Sequence, residues 1–159
     1  MSHSISILEL RRIEATILKD VYDTVLELHG AKEAEKIVAA SVKKSAIAQG
    51  KSMRSLAKKT DAQHPDLEDF ANLIPLWEVD GALEIEMLHS SKDRLQFNIR
   101  HCKYAQMYKE MGLGEIGHLL SCNRDAAFCI GYNPDMELTR TQTIMKGAKF
   151  CDFRYKLRA

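Results

Sequence analysis

Thiols, carboxylates and guanidinium groups crowd the last third of this chain in a way that core packing alone does not require. Cys122-Asn123-Arg124-Asp125 is followed by Gly131-Tyr132-Asn133-Pro134, then by a run from Arg140 to Tyr155 that holds Cys151 and Asp152. A cysteine at 122 and an aspartate at 125 share one helical face. Ser121 or Asn123 can cap a helix at that point, and a thiol in a first helical turn gains thiolate character from the positive end of the dipole. Such a pair suits nucleophilic attack beside a carboxylate, with Arg124 as a nearby cation. The plainer alternative has Asn123 and Asp125 only capping the helix and Arg124 in solvent. In the last segment Cys151, Phe153, Tyr155 and Leu157 fall on one face of a strand, and Asp152, Arg154 and Lys156 on the other. Cys151 and Asp152 therefore do not both face one pocket, so Cys122–Asp125 is the preferred reactive pair.

His101-Cys102 forms a third cluster, and His118 lies four residues before Cys122. Zinc takes both residue types, but the chain has no C-x-x-C pair and no H-x-x-x-H, so neither a metal nor another cofactor is expected. Gly112-x-Gly114 lacks the rest of a dinucleotide fingerprint, and Trp77 reads as core.

The elements that position these groups follow from periodicity. Residues 7–28 carry Leu10, Ile13, Ile17, Val21, Val25 and Leu28 at three/four spacing, an amphipathic helix with that stripe as its buried face. Gly30 suits its end. A second helix is expected over 31–58, with Ala34, Ile37, Val38, Ser41 and Ala46 buried and a bend or break at Gly50. Pro65 opens a third, with Asp66, Glu68 and Asp69 in its first turn, and that helix stops by Pro75. The period then changes to two: Leu83, Ile85 and Met87, a turn at 90–93, then Leu95, Phe97 and Ile99, which is an antiparallel hairpin. Helices return over 103–111 and 115–130, and a second hairpin joins 137–143 to 150–157 through a turn at 146–149. Strands in adjacent pairs, backed by helices, make this an α+β domain, one domain across 1–159.

The bulk numbers narrow the function. A chain of 159 residues with 45% hydrophobic and 28% charged content is globular. A net charge of +1 gives no electrostatic case for nucleic acid or an anionic membrane. No apolar run approaches the ~20 residues of a membrane span, and the first residues do not read as a signal peptide. Four cysteines without a secretion signal point to reduced thiols and a cytoplasmic location.

Together, Arg100-His101-Cys102-Lys103-Tyr104-Ala105, Ser121 to Asp125, Gly131 to Pro134, Arg140-Thr141-Gln142-Thr143-Ile144-Met145-x-Gly147 and Cys151 to Tyr155 resemble the L-2-amino-thiazoline-4-carboxylic acid hydrolase family. The motifs span roughly residues 83 to 157. The resemblance implies a small cytoplasmic hydrolase acting on non-peptide carbon–nitrogen bonds. The named reaction adds water to the cyclic amidine carbon of 2-aminothiazoline-4-carboxylate and opens the ring to a carbamoyl-cysteine. A fainter likeness is to 4-vinyl-reductase-like ligand-binding domains, some of which hold zinc. Arg140 and Thr143 stand where two of the four ligands would be expected, which argues against the same metal site.

The implied chemistry needs a nucleophile, a proton carrier and a carboxylate anchor. Cys122 or Cys102 is the candidate nucleophile, with Cys151 held as a further thiol. Asp125 or Asp152 moves the proton or holds the amidinium. Arg140 or Arg100 binds the substrate carboxylate, Asn133 donates to developing negative charge, and Tyr104 and His101 complete the substrate-binding candidates. A rival route has the aspartates activate water directly while the cysteines only shape the pocket. The competing class is a sensor-like, non-enzymatic small-molecule-binding domain, which predicts an apolar cavity with no ionised pair inside it. The partner expected is a small-molecule substrate, with no nucleic acid and no membrane. The long N-terminal helices suit a homodimer or higher homo-oligomer.

Overall fold

The computed structural model describes residues 4–57 and 64–158. Helix α1 (Ile7–His29) starts at Ser6, whose hydroxyl accepts from the Glu9 N–H at 3.2 Å, and stops at Gly30, held at φ 83°. Helix α2 (Ala31–Arg54) follows directly and buries Ala34, Val38, Val42, Ala46 and Gly50. The expected end at Lys58 lies outside the described residues. Asp66 caps α3 (Leu67–Ala71) in a reciprocal capping box with Asp69. Pro75 does not close that helix but opens the next, α4 (Pro75–Glu78), where its missing N–H has no helical partner to lose.

Strands β1 (Leu83–Ser90), β2 (Arg94–Cys102), β3 (Met136–Thr139) and β4 (Cys151–Leu157) form an antiparallel sheet in the order β1-β2-β4-β3. The fold is α+β, helices first and then paired strands, as the periodicity indicates. The last strand occupies the middle of the sheet, so Leu95, Phe97 and Ile99 of β2 lie opposite Tyr155, Phe153 and Cys151 of β4. Directly opposed residues share a face, and this one is dry: Phe97 and Phe153 stack with centroids 4.9 Å apart, worth about 1 kcal/mol beyond area burial. The opposite face pairs Asn98 with Asp152, Gln96 with Arg154 and Arg94 with Lys156.

Between the hairpins lie α5 (Lys103–Glu110), a π turn at His118–Cys122 and α6 (Asn123–Tyr132). The expected helix over 115–130 thus begins later, as a π turn that runs directly into α6, and α6 continues to Tyr132. The second hairpin also departs from expectation. Its strands are joined by residues 140–150, which include a short 3-10 turn at Ile144–Lys146.

Two further expectations change. Gly50 does not interrupt α2. It permits contact with α6, since a Cβ on Gly50 would lie 2.3 Å from the Phe128 carbonyl and one on Gly131 2.0 Å from the Ile47 carbonyl. The stripe of α1 is not its buried face: Leu10, Ile13, Ile17, Val21 and Leu28 are exposed, Leu28 by 70%. The inward face carries Arg11 and Ala15, both buried, beside half-buried Leu18 and Tyr22. That face repeats at helical spacing too, with an arginine where an aliphatic would be expected.

The core has two parts. One fills the space between the dry sheet face and helices α3 and α6, and the other lies among α1, α2 and α5. Trp77, Leu83, Cys102 and Ile144 pack against both.

Candidate active site

A cavity of about 110 Å³ opens where the two cores meet. A dry cavity near 150 Å³ accepts a benzene ring, so this one fits a single small ring. Phe97, Ile99, Phe153 and Tyr155 close its sheet side, and Phe70, Trp77 and Phe128 close the end beneath α3 and α4. The remaining wall is ionic, built by Arg11 of α1, Gln49 of α2, Arg124 and Asp125 of α6, and Arg140.

Asp125 is the centre of that wall. Its carboxylate Oδ2 accepts from Arg140 Nη1 at 2.5 Å, and Arg140 Nη2 donates to the Cys122 carbonyl at 2.9 Å. The Arg140 guanidinium also lies over the Phe153 ring, 4.9 Å from its centroid. About a third of the Asp125 side chain remains open, at 33% relative exposure, and because the residue lines the cavity part of that opening faces inward. Burial pushes its pKa above the usual carboxylate value, while Arg140, Arg11 and Arg124 pull the other way.

Arg11 and Arg124 form a second ionic group. Glu14 accepts from Arg11 Nη1 through both oxygens at 3.1 Å and from Arg124 Nη2 at 2.7 Å. Arg11 Nη2 donates to Gln49 Oε1 at 2.5 Å. Arg124 Nε donates to the Leu120 carbonyl at 2.9 Å, inside the π turn, and its Nη1 to Ser45 at 3.3 Å. The π turn therefore spends a backbone carbonyl on fixing this guanidinium.

Of the thiols, Cys102, Cys122 and Cys151 line the cavity, and Cys129 does not. Cys122 differs from expectation in its surroundings. It is not at a free helix start, because the π turn runs through it into α6 with helical φ and ψ (−60°, −30°). Burial followed by the charge of Asp125 pushes its pKa up to about 12. Burial raises Cys102 to about 11, and its Sγ accepts from the Ala105 N–H at 3.4 Å as the cap of α5. Cys151 is raised by burial as well, and its Sγ accepts from the Ile144 N–H at 3.2 Å.

The other sequence candidates divide. Tyr104 lines the cavity, with its hydroxyl donating to the Trp77 carbonyl at 3.2 Å. Asp152 lies on the opposite sheet face, accepting from the Thr141 N–H and hydroxyl (2.9 and 2.6 Å) and the Gln142 N–H (2.9 Å), and so fixes the start of the 140–150 loop. Arg100 pairs with Glu86 at 2.6 Å and lies over Phe150, outside the cavity. His101 is exposed. Asn133 donates to the Pro65 carbonyl at 2.9 Å and accepts from the Asp135 N–H, outside the cavity. Arg11, Gln49 and Glu14 carry no motif signal; the one hint is Arg11 and Glu14 three apart at the edge of the apolar stripe. Among the described residues no group of three His, Cys, Asp or Glu side chains could hold a metal ion, and no helix is long and apolar enough to cross a membrane.

A larger polar groove of about 350 Å³ lies outside this cavity, and Cys122 and Arg140 border both spaces. His118, Asn123, Thr141 and Lys146 border the groove alone.

The family described as L-2-amino-thiazoline-4-carboxylic acid hydrolase matches residues 10–155, and the chain belongs to it. The match takes in α1 and α2 as well as the motifs of the second half. No curated protein matches the sequence. Among solved structures, the fold is similar to the phenol-responsive sensory domain of the transcription activator PoxR, crystallised with phenol. The TM-score is 0.56 at 11% identity, covering 92% of this chain and 74% of that one.

Proposed function

From membership of a family named for hydrolysis of an aminothiazoline acid, we propose that the protein adds water at a non-peptide carbon–nitrogen bond of a small cyclic amidine that carries a carboxylate, and so opens its ring. One observation carries this reading: an ion pair, Asp125–Arg140, set in the charged wall of a cavity whose sheet side is aromatic. A pocket for a neutral aromatic has no use for that pair. A substrate with an amidinium at one end and a carboxylate at the other matches both signs of charge.

In this mechanism the planar ring lies against Phe97 and Phe153, and its amidinium donates to Asp125, which Arg140 orients. Asp125 takes a proton from the water that adds to the amidine carbon. The tetrahedral carbon then collapses to a carbonyl. In the aminothiazoline acid its bond to the ring sulfur breaks, Asp125 returns the proton to that sulfur, and both nitrogens stay on the carbon as the carbamoyl group. The raised pKa of Asp125 makes it a stronger base than an exposed aspartate. Thiols at about 12 and about 11 are ionised to roughly one part in 10⁵ and 10⁴ at pH 7, which favours direct water attack over a covalent step at Cys122 or Cys102. The cysteines then shape the wall. A cytoplasmic location is part of the proposal and rests on four free thiols. So is a homodimer or higher homo-oligomer, for which the exposed α1 stripe is available surface.

The test is turnover of 2-aminothiazoline-4-carboxylate and related cyclic amidines by the purified protein, with Cys102→Ala, Cys122→Ala and Cys151→Ala beside it. Retained activity in all three variants, with no covalent adduct by mass spectrometry under single-turnover conditions, is the expected result. The aromatic walls and the fold shared with a phenol-responsive domain favour a second reading, a sensor. Saturable binding of phenol with no hydrolysis of any cyclic amidine would establish that one instead.

A further inference from the structure

We propose that Arg11 and Arg124, held together by Glu14, form the subsite for the ligand carboxylate, so that the N-terminal helix supplies the anchor while α6 supplies the base. The inference rests on the hydrolase reading above and locates within it a group that no motif marks. Both arginines line the cavity and both are nearly closed to solvent, at 4% and 6% exposure. Glu14, the carboxylate between them, does not line it. Among the described residues, the cavity wall and its direct partners thus hold Arg11, Arg124 and Arg140 against Glu14 and Asp125. One positive charge is left over.

A buried surplus charge is unfavourable until an anion arrives. The arrangement shows that tension, because burial and the neighbouring Arg11 both lower the pKa of Arg124. The surplus lies at the Arg11–Arg124–Glu14 end, since Asp125–Arg140 is balanced. A ligand carboxylate removes it there, while the amidinium of the same ligand meets Asp125. That carboxylate would complete an alternating set in which two guanidiniums lie between two carboxylates, one from the protein and one from the ligand. Gln49, already bonded to Arg11, also borders the space. Arg140 orients the base Asp125 and holds the Cys122 carbonyl, and Arg100 is outside the cavity.

Arg11→Met is the decisive variant. It leaves Glu14 and Arg124 as a balanced pair, so the fold should hold, and circular dichroism checks that it does. KM for 2-aminothiazoline-4-carboxylate should rise about 10- to 100-fold with kcat within a few-fold. Kinetics on 2-aminothiazoline, which lacks the carboxylate, should change only by the few-fold seen in kcat, since Arg11 also acts on Asp125, with no matching rise in KM. Arg11→Lys keeps the charge but loses the fork, and should recover part of the loss. A second readout needs no turnover: thiazole-4-carboxylate should raise the melting temperature of the wild type and not of Arg11→Met. Equal kinetic losses on both substrates, or an unchanged KM for the acid, would overturn the subsite while leaving the hydrolase reading intact. Arg11-dependent binding of the carboxylate without hydrolysis would overturn the hydrolase reading and keep the subsite. Failure of the wild type to bind any carboxylated ring would overturn both.

Discussion

The sheet side of the cavity and its helix side differ in chemistry and in how far apart their residues lie in the chain. The sheet side is aromatic and built from two neighbouring strands, where Phe97 and Phe153 are direct cross-strand partners. The helix side is ionic and assembled from α1, α2 and α6 and from the residue after β3, drawing Arg11, Gln49, Asp125 and Arg140 together. One wall sets the shape of what enters and the other sets its charge. The two should therefore fail differently when altered.

The sharpest break is Asp125→Asn. It keeps the shape and removes the base, so kcat should fall by about 10³-fold or more, with a lowered melting temperature because Arg140 loses its carboxylate; circular dichroism at the assay temperature checks that the variant is folded. A variant that keeps a tenth of the wild-type rate would move the chemistry elsewhere. The same carboxylate sets the acid limb of the pH profile. Its pKa is raised in the folded protein, so the active ionised form is lost as pH falls through a value above that of an ordinary aspartate. Replacing Arg140 with Met should move that limb further upward, because a cation that favours ionisation is gone.

On the aromatic wall, Phe153→Leu should raise KM about 5- to 10-fold and leave the acid limb where it was. A shifted limb would show that the two walls are not separable. The smallest effect belongs to Asp152→Asn, outside the cavity. Burial opposes its ionisation, but hydrogen bonds from Thr141 and Gln142 outweigh that and lower its pKa. A lowered carboxylate stabilises the fold above the unfolded-state pKa and loses that contribution as pH falls through the folded value. Urea denaturation at pH 7 should therefore show a loss of about 1 kcal/mol, shrinking as pH falls through the lowered folded-state pKa.

The same contrast explains what the sequence discloses. Period-two alternation depends on neighbours in the chain, so the dry face of Phe97, Ile99, Phe153 and Tyr155 could be read directly. Asp125 was within reach as well, being three residues from Cys122 in a dense motif. Arg11 was not. It sits on a helix with two faces of helical period, and the more hydrophobic one, Leu10 to Leu28, points to solvent. Which face turns inward is decided by Glu14, Gln49 and Arg124, and the last is 113 positions further along the chain. The expected depression of the Cys122 pKa failed for a related reason. Capping residues were visible at 121 and 123, but the turn that carries the helix through them depends on packing around Arg124.

That turn also bears on how the protein can change over generations. A π turn holds one more residue than the α-helical turn it replaces, and the turn at His118–Cys122 lies just ahead of Asp125. Five residues of π turn sweep about as much of a circle as four of α-helix, so deleting one residue there would regularise the helix and leave Asp125 close to its present bearing. What the deletion would remove is the irregular turn whose Leu120 carbonyl holds Arg124. A lineage that lost that single codon would keep the base on the cavity wall and loosen the guanidinium beside it.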